Sequence, residues 1–359
     1  MAEHTMQAAV WHAAGDVRIE SVKRPLEVDD HEAIVAVDVA TICASDLAEY
    51  RDGPHVIPTA RPHRLTGATA PLTLGHEFVG RVVAVGREVT NVSLGDRVTA
   101  DACIRCGECY WCERGEYNIC ERGGSIGLHV DGAFAERVRV PAYTLHRVPD
   151  AVSDLAAAIV EPLAVGLHAL RQGRLTVGES VVIVGFGMVG AAATLLAVAS
   201  GASRVIVVEG APTRAELARR AGASDVLPPG SDLRRAVRAL TNGRGADLVI
   251  DCTGRADVLP ESIELSRRGG RTVVGGISHE PSAMTGDRIV YFEREIIGSL
   301  GYRNDHATVI DLLASGRLDV EWLFAPAIGL EKIVEAGLES MKNSGAASWL
   351  RIPVAIRGE

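Results

Sequence analysis

Between residues 7 and 39 apolar and polar positions alternate in short runs, most plainly in Ile34-Val35-Ala36-Val37-Asp38-Val39. A period of two predicts strands with one buried face. Pro54, Pro58, Pro62 and Pro71, with Gly53 and Gly67, make residues 52–73 a long irregular loop. The strand pattern returns at 78–85, 97–100 and 134–140. Near Ser153 the character changes. Residues 154–170 are rich in Ala, Leu and Val and predict a helix, with Ser153 as its N-cap. Beyond it strand and helix alternate: strands at 180–184, 204–209, 248–251 and 272–274, helices at 187–200, 213–220 and 260–266. That alternation predicts a parallel sheet covered on both faces. After about Leu300 the pattern is mixed again. The expected fold class is α/β, a doubly wound parallel sheet joined to a β-rich part formed by the first 150 residues.

Composition narrows the picture. The chain has 359 residues, room for about two domains at ~100–200 residues each. Hydrophobic residues make up 47% and charged residues 23%, an ordinary globular balance. No apolar run approaches the ~20 residues that cross a bilayer. The first ten residues carry Glu3 and His4 rather than a basic segment followed by an apolar one. A cytoplasmic location without a membrane partner is therefore expected. The net charge of −9 argues against a nucleic-acid partner, which calls for clustered Lys and Arg. Arg234-Arg235 and Arg267-Arg268 read as solvated faces.

The predicted strand at 180–184 runs straight into Gly185-Phe186-Gly187-Met188-Val189-Gly190 and then a helix, the context in which a G-x-G-x-x-G pattern binds a dinucleotide. Gly185 permits the tight turn, Gly187 removes a side chain that would block a pyrophosphate, and Gly190 lets helix and strand pack closely. The helix start at Met188 and Val189 offers N–H groups to phosphate. Glu209, ending the next strand, suits the ribose hydroxyls and would repel a 2′-phosphate, so NAD is expected over NADP. Arg214 is a candidate for the adenine side of the site.

Seven cysteines are present, five of them between 103 and 120. In a chain without a secretion signal, that crowding favours metal binding over disulfides. Cys106-x2-Cys109-x2-Cys112-x7-Cys120 supplies four thiols for a closed, tetrahedral structural zinc. Spacing alone leaves open a register that includes Cys103.

Gly75-His76-Glu77-x2-Gly80, continuing to Val85-Gly86 and Gly95-Asp96-Arg97-Val98, resembles the zinc signature of the medium-chain alcohol dehydrogenases. Cys43-Ala44-Ser45-Asp46, the four-cysteine loop, Glu161-Pro162-Leu163-Ala164-Val165 and the glycine turn occur in that family's order, so the resemblance spans almost the whole chain. Pro62-His63-x-Leu65-Thr66-Gly67 and Gly301-Tyr302-Arg303 resemble the polyol and 2,3-butanediol dehydrogenase branch. The resemblance implies a GroES-like, β-rich catalytic domain from residues 1–161 and 301–359, with the zinc lobe at about 103–121. It implies a Rossmann dinucleotide-binding domain at 162–300.

The expected chemistry is removal of a proton from an alcohol oxygen and a hydride from its carbon. A catalytic zinc commonly has three protein ligands and one open position and lowers the pKa of bound water to ~7. Cys43 and His76 are the natural first two ligands. The resemblance makes Glu161 the third; in related polyol enzymes the glutamate after the histidine, here Glu77, can bind zinc and leave the Glu161 position to reach it through water, so both are candidates. Ser45 is placed to take the alcohol proton, Asp46 to orient His76, and Ile277 to line the nicotinamide side. Two zinc ions per chain, one catalytic and one structural, are expected together with NAD. The expected substrate is a secondary alcohol or its ketone: a diol, polyol, cyclitol or amino alcohol, with a vicinal diol leading. The competing expectations are a non-catalytic dinucleotide-binding or redox-sensing protein, a zinc-free quinone or enoyl reductase, and a biosynthetic tailoring reductase with another carbonyl substrate. A homo-oligomer, dimer or tetramer, is expected from the family.

Overall fold

A computed structural model describes residues 4–230, 232–342 and 348–356. The chain divides into two compact units: Met1–Glu161, His306–Ser344 and Arg351–Glu359 in one, Pro162–Asp305 and Gly345–Leu350 in the other. Among the described residues no helix is long and apolar enough to cross a membrane.

The first unit is β-rich. Its main sheet is organised round the strand Glu32–Thr41, which pairs antiparallel with Glu77–Val85, Arg137–Pro141 and Pro353–Ala355. Arg97–Ala100 and Leu145–Arg147 extend it beyond Glu77–Val85. The alternation in the sequence predicts one buried face for Glu32–Thr41, yet Ala33 through Val37 are all buried. Both faces are covered here, and the small alanines at 33 and 36 allow the close approach. Gly80 serves the same end, since a Cβ there would meet the Ala36 carbonyl oxygen at 2.2 Å.

The second unit holds a six-stranded sheet in the order Asp225–Leu227, Arg204–Val208, Ser180–Val184, Ala246–Asp251, Ser266–Val274, Glu295–Gly298. Every pair is parallel. Numbered within the unit this is the order 3-2-1-4-5-6 of dinucleotide-binding sheets. Val181, Val182, Ile183, Val205, Ile206, Val207, Leu248, Val249 and Ile250 are almost wholly buried, as parallel strands covered on both faces must be.

Three local features differ from the sequence expectation. The helix expected over 154–170 is two helices, Asp154–Ala158 and Val160–Gln172. Pro162 explains the break: it has no N–H to give the carbonyl of residue 158, and its ring crowds that carbonyl. Ser153 caps the first piece through Ala156 N–H at 3.1 Å. The helix Leu233–Leu240 contains Arg234-Arg235, where the sequence predicts only a solvated face. It buries Leu233 and Val237, one turn apart, while Arg235 is exposed and paired with Asp232. The short strands Asp225–Leu227 and Glu295–Gly298 carried no clear alternation.

Candidate active site and metal centres

The ends of three neighbouring strands assemble the first cluster. Thr41 lies opposite Glu77 on one side and Pro353 on the other. The residues just past these pairs are therefore neighbours: Cys43 follows the central strand, His76 precedes Glu77–Val85, and Arg351 precedes Pro353–Ala355. Cys43 is also the N-cap of the helix Ala44–Asp52, which brings Ser45 and Asp46 to the same place.

One ligand atom each from Cys43, His76 and Glu77 lies within 4.8 Å of the others. Ser45 Oγ is 3.2 Å from His76 Nε2. Asp46 accepts from the Cys43 backbone N–H at 2.9 Å and places its other oxygen 3.6 Å from His76 Nδ1. Glu77 accepts from Arg351 Nε at 2.9 Å and Nη2 at 2.8 Å, a bidentate pair, and from the Thr41 hydroxyl. Arg351 Nη2 also reaches Cys43 Sγ at 3.8 Å. Glu161, in the first turn of Val160–Gln172, is outside the three-residue group but close enough to act electrostatically on His76 and Arg351.

Charge within the cluster is strongly interdependent. Burial, reinforced by Glu77, pushes the Cys43 thiol up. Burial alone would lower His76, but Asp46, Cys43 and Glu161 together outweigh it and hold the imidazole well above its ordinary value. Burial would raise Glu77, and the Arg351 guanidinium, with His76 and the Thr41 hydroxyl, more than reverses this. A thiol, an imidazole and a carboxylate converging out of water fit a zinc ion: burial keeps the proton on Cys43 unless a cation replaces it.

Arg351 and Thr41 were not among the candidates read from the sequence. Nothing local marks Arg351; its place follows only from the pairing of Pro353–Ala355 with Glu32–Thr41.

The second cluster is local. Cys106, Cys109, Cys112 and Cys120 bring their sulfurs within 4.8 Å of one another, with Cys120 to Cys106 at 3.5 Å and Cys109 to Cys120 at 3.8 Å. All four are free thiols. Backbone N–H groups, first that of Glu108, lower Cys106 to about 6. Cys103 is not in this group; it lies in the strand Cys103–Ile104, paired with Gly124–Ser125 at the base of the lobe.

In the second unit Gly185 has φ +89°, a conformation that favours glycine. A Cβ on Gly190 would lie 2.0 Å from the Gly185 carbonyl oxygen, whereas Gly187 faces open space. Met188 and Val189 open the helix Met188–Ala199. The Glu209 carboxylate accepts from the Phe186 N–H of the turn at 2.9 Å and from Ala211 N–H at 2.8 Å. Arg214 lies on the following helix Pro212–Arg220, its Nε buried with no hydrogen-bond partner. Ile277, after Ser266–Val274, is 70% exposed.

This pairing of a β-rich unit carrying two donor clusters with a dinucleotide-type sheet is that of a zinc-dependent dehydrogenase. Residues 29–150 match the alcohol dehydrogenase GroES-like domain and residues 188–315 the zinc-binding dehydrogenase domain. The chain is 35% identical to (R,R)-butanediol dehydrogenase of Bacillus subtilis over 94% of its length and 96% of that enzyme's. It is 32% identical to sorbitol dehydrogenase of the same organism, covering 92% of each chain. The crystal structure of 2R,3R-butanediol dehydrogenase from Bacillus subtilis superposes with a TM-score of 0.91 at 34% identity, covering 98% of this chain and all of that one. A zinc-binding dehydrogenase from Sinorhizobium meliloti bound to NADP superposes at 0.86 and 28% identity, covering 98% and 99%. The chain belongs to the zinc-dependent medium-chain alcohol dehydrogenases, in the butanediol and polyol branch. It is an oxidoreductase that acts on CH–OH groups and oxidises a secondary alcohol with a nicotinamide cofactor.

Proposed function

We propose that the enzyme oxidises a vicinal diol to the hydroxyketone, or reduces the latter, with NAD as its coenzyme and with one catalytic and one structural zinc. The observation that carries the catalytic assignment is the convergence of Cys43, His76 and Glu77 beside the Ser45 hydroxyl. These three are the ligands, and Glu161 acts on the site through an intervening water. Zinc bound there supplies a Lewis acid for the alcohol oxygen.

The chain's own groups do the rest. Asp46 fixes the His76 ring. Arg351 compensates the buried Glu77 charge, so the site is not left doubly anionic. Ser45 accepts the hydroxyl proton. Gly187 leaves room for the pyrophosphate against the N–H groups at Met188 and Val189. Cys106, Cys109, Cys112 and Cys120 hold the structural ion, which takes no part in the chemistry.

The preference for NAD rests on Glu209. Its carboxylate is fixed by the turn, where a 2′-phosphate would meet a like charge. Glu209→Ala should lower kcat/KM for NAD about 10–100-fold, the loss of one or two charged hydrogen bonds, and narrow the preference over NADP. NADH formation from vicinal diols, polyols, cyclitols and amino alcohols decides the substrate class. A rate highest on amino alcohols, or on NADP with every alcohol, would replace this reading. The homo-oligomer expected of the family and a cytoplasmic location complete it, and the mass of the enzyme in solution tests the former.

A further inference from the structure

We propose a third metal site, for zinc or a similar borderline divalent ion, built by Asp101, His146 and His306 with Cys103 beside them. One ligand atom from each of the first three lies within 4.8 Å of the others. Asp101 and His306 are buried and His146 is partly buried. The residues come from three separate stretches of the first unit, so their meeting is a product of the fold. His146 pairs with Thr99 across the strands Leu145–Arg147 and Arg97–Ala100. Asp101 is two residues beyond Thr99, still in register through its N–H to Thr144 O at 2.7 Å, and so falls on the same face as His146. His306 opens the helix His306–Ala314 and stacks on His146, ring centroids 4.8 Å apart.

The surroundings suit ligation. Asp101 accepts from the Tyr117 hydroxyl at 2.7 Å and the Cys103 N–H at 2.8 Å, the supporting bonds that orient a metal-binding carboxylate. The His306 ring lies against the backbone of Ala100. Burial keeps both imidazoles in the neutral form that binds metal. The Cys103 thiol touches Asp101 but lies outside the three-donor group. Two nitrogens and an oxygen, with water in the fourth position, are a zinc-type donor set. Zinc bonds of about 2.0–2.3 Å place neighbouring donors about 3.3–3.7 Å apart in a tetrahedron, so the side chains must close by about an ångström and the two rings, now within 8° of parallel, must turn to aim at one ion.

The test uses the full chain saturated with Zn2+ and then desalted. Anomalous scattering at the zinc edge should show a peak bounded by Asp101, His146 and His306, separate from the two at the cysteine-containing clusters, and metal analysis should give three zinc per chain. His146→Gln should remove one equivalent and that peak alone; Asp101→Asn serves if the first variant does not fold. Cys43→Ala should remove a different equivalent and leave the third peak, so failure of the catalytic assignment is seen independently. Two zinc per chain with no density among the three residues, or an unchanged count in either variant, overturns the proposal.

Discussion

The two clusters that carry the zinc assignment are opposites in construction. Cys106, Cys109, Cys112 and Cys120 lie within one loop, are only half buried, and can be brought together by local turns. Closing so short a loop costs little entropy, and a metal ion can itself fold such a lobe. Cys43, His76, Glu77 and Arg351 come from strand ends up to 308 residues apart, and the last three are buried. There the fold makes the site and the metal adds chemistry. On the proposed reading, one cluster would be stabilised by its ion and the other presented to it.

The largest effect that sharpens this contrast is expected at Cys43. Cys43→Ala should cut turnover by about 10³–10⁴-fold, the loss of several kcal/mol of Lewis-acid stabilisation, while the circular dichroism spectrum stays that of the parent. Turnover within tenfold of the parent would sink the catalytic assignment. Next comes Arg351→Met, which strands Glu77 as a buried, uncompensated charge. Zinc-free protein should lose about 3–5 kcal/mol, and adding Glu77→Gln should restore most of it; denaturant unfolding of the single and double variants measures this. If the single variant unfolds like the parent, the ion pair is not what holds the strand ends. Ser45→Ala should slow turnover about 10²-fold, the usual scale of a lost proton-transfer group, with zinc content unchanged. A variant that keeps full rate would exclude Ser45 from the proton path. The smallest effect on rate belongs to Cys109→Ser. It should release one zinc and open residues 106–120 to limited proteolysis, yet leave turnover within about an order of magnitude, because the opening is local. A collapse of activity equal to that of Cys43→Ala would erase the distinction between the clusters.

The same contrast explains what could be read before the fold was known. The four-cysteine loop and the Gly185-Phe186-Gly187-Met188-Val189-Gly190 turn are written in adjacent residues, because each is a local device. Cys43 and His76 were legible only through motifs whose chemistry points to a shared ion; no spacing rule brings residues 33 apart to one place. Arg351 was not legible at all, since it depends on Pro353–Ala355 pairing with Glu32–Thr41, a register set by tertiary packing. The broken helix could have been read from Pro162, and Leu233–Leu240 from the spacing of Leu233, Val237 and Leu240.

The pairing of Glu77 with a guanidinium 274 residues further on has a consequence for how the chain comes off the ribosome. At about 5–20 residues per second, roughly 14–55 s separate the appearance of the carboxylate from that of its counter-charge. Until then the central strand lacks its Pro353–Ala355 neighbour, and burying Glu77 would mean burying a lone anion. The buried charge pair of the β-rich half is therefore completed only after the whole dinucleotide-type sheet has been synthesised.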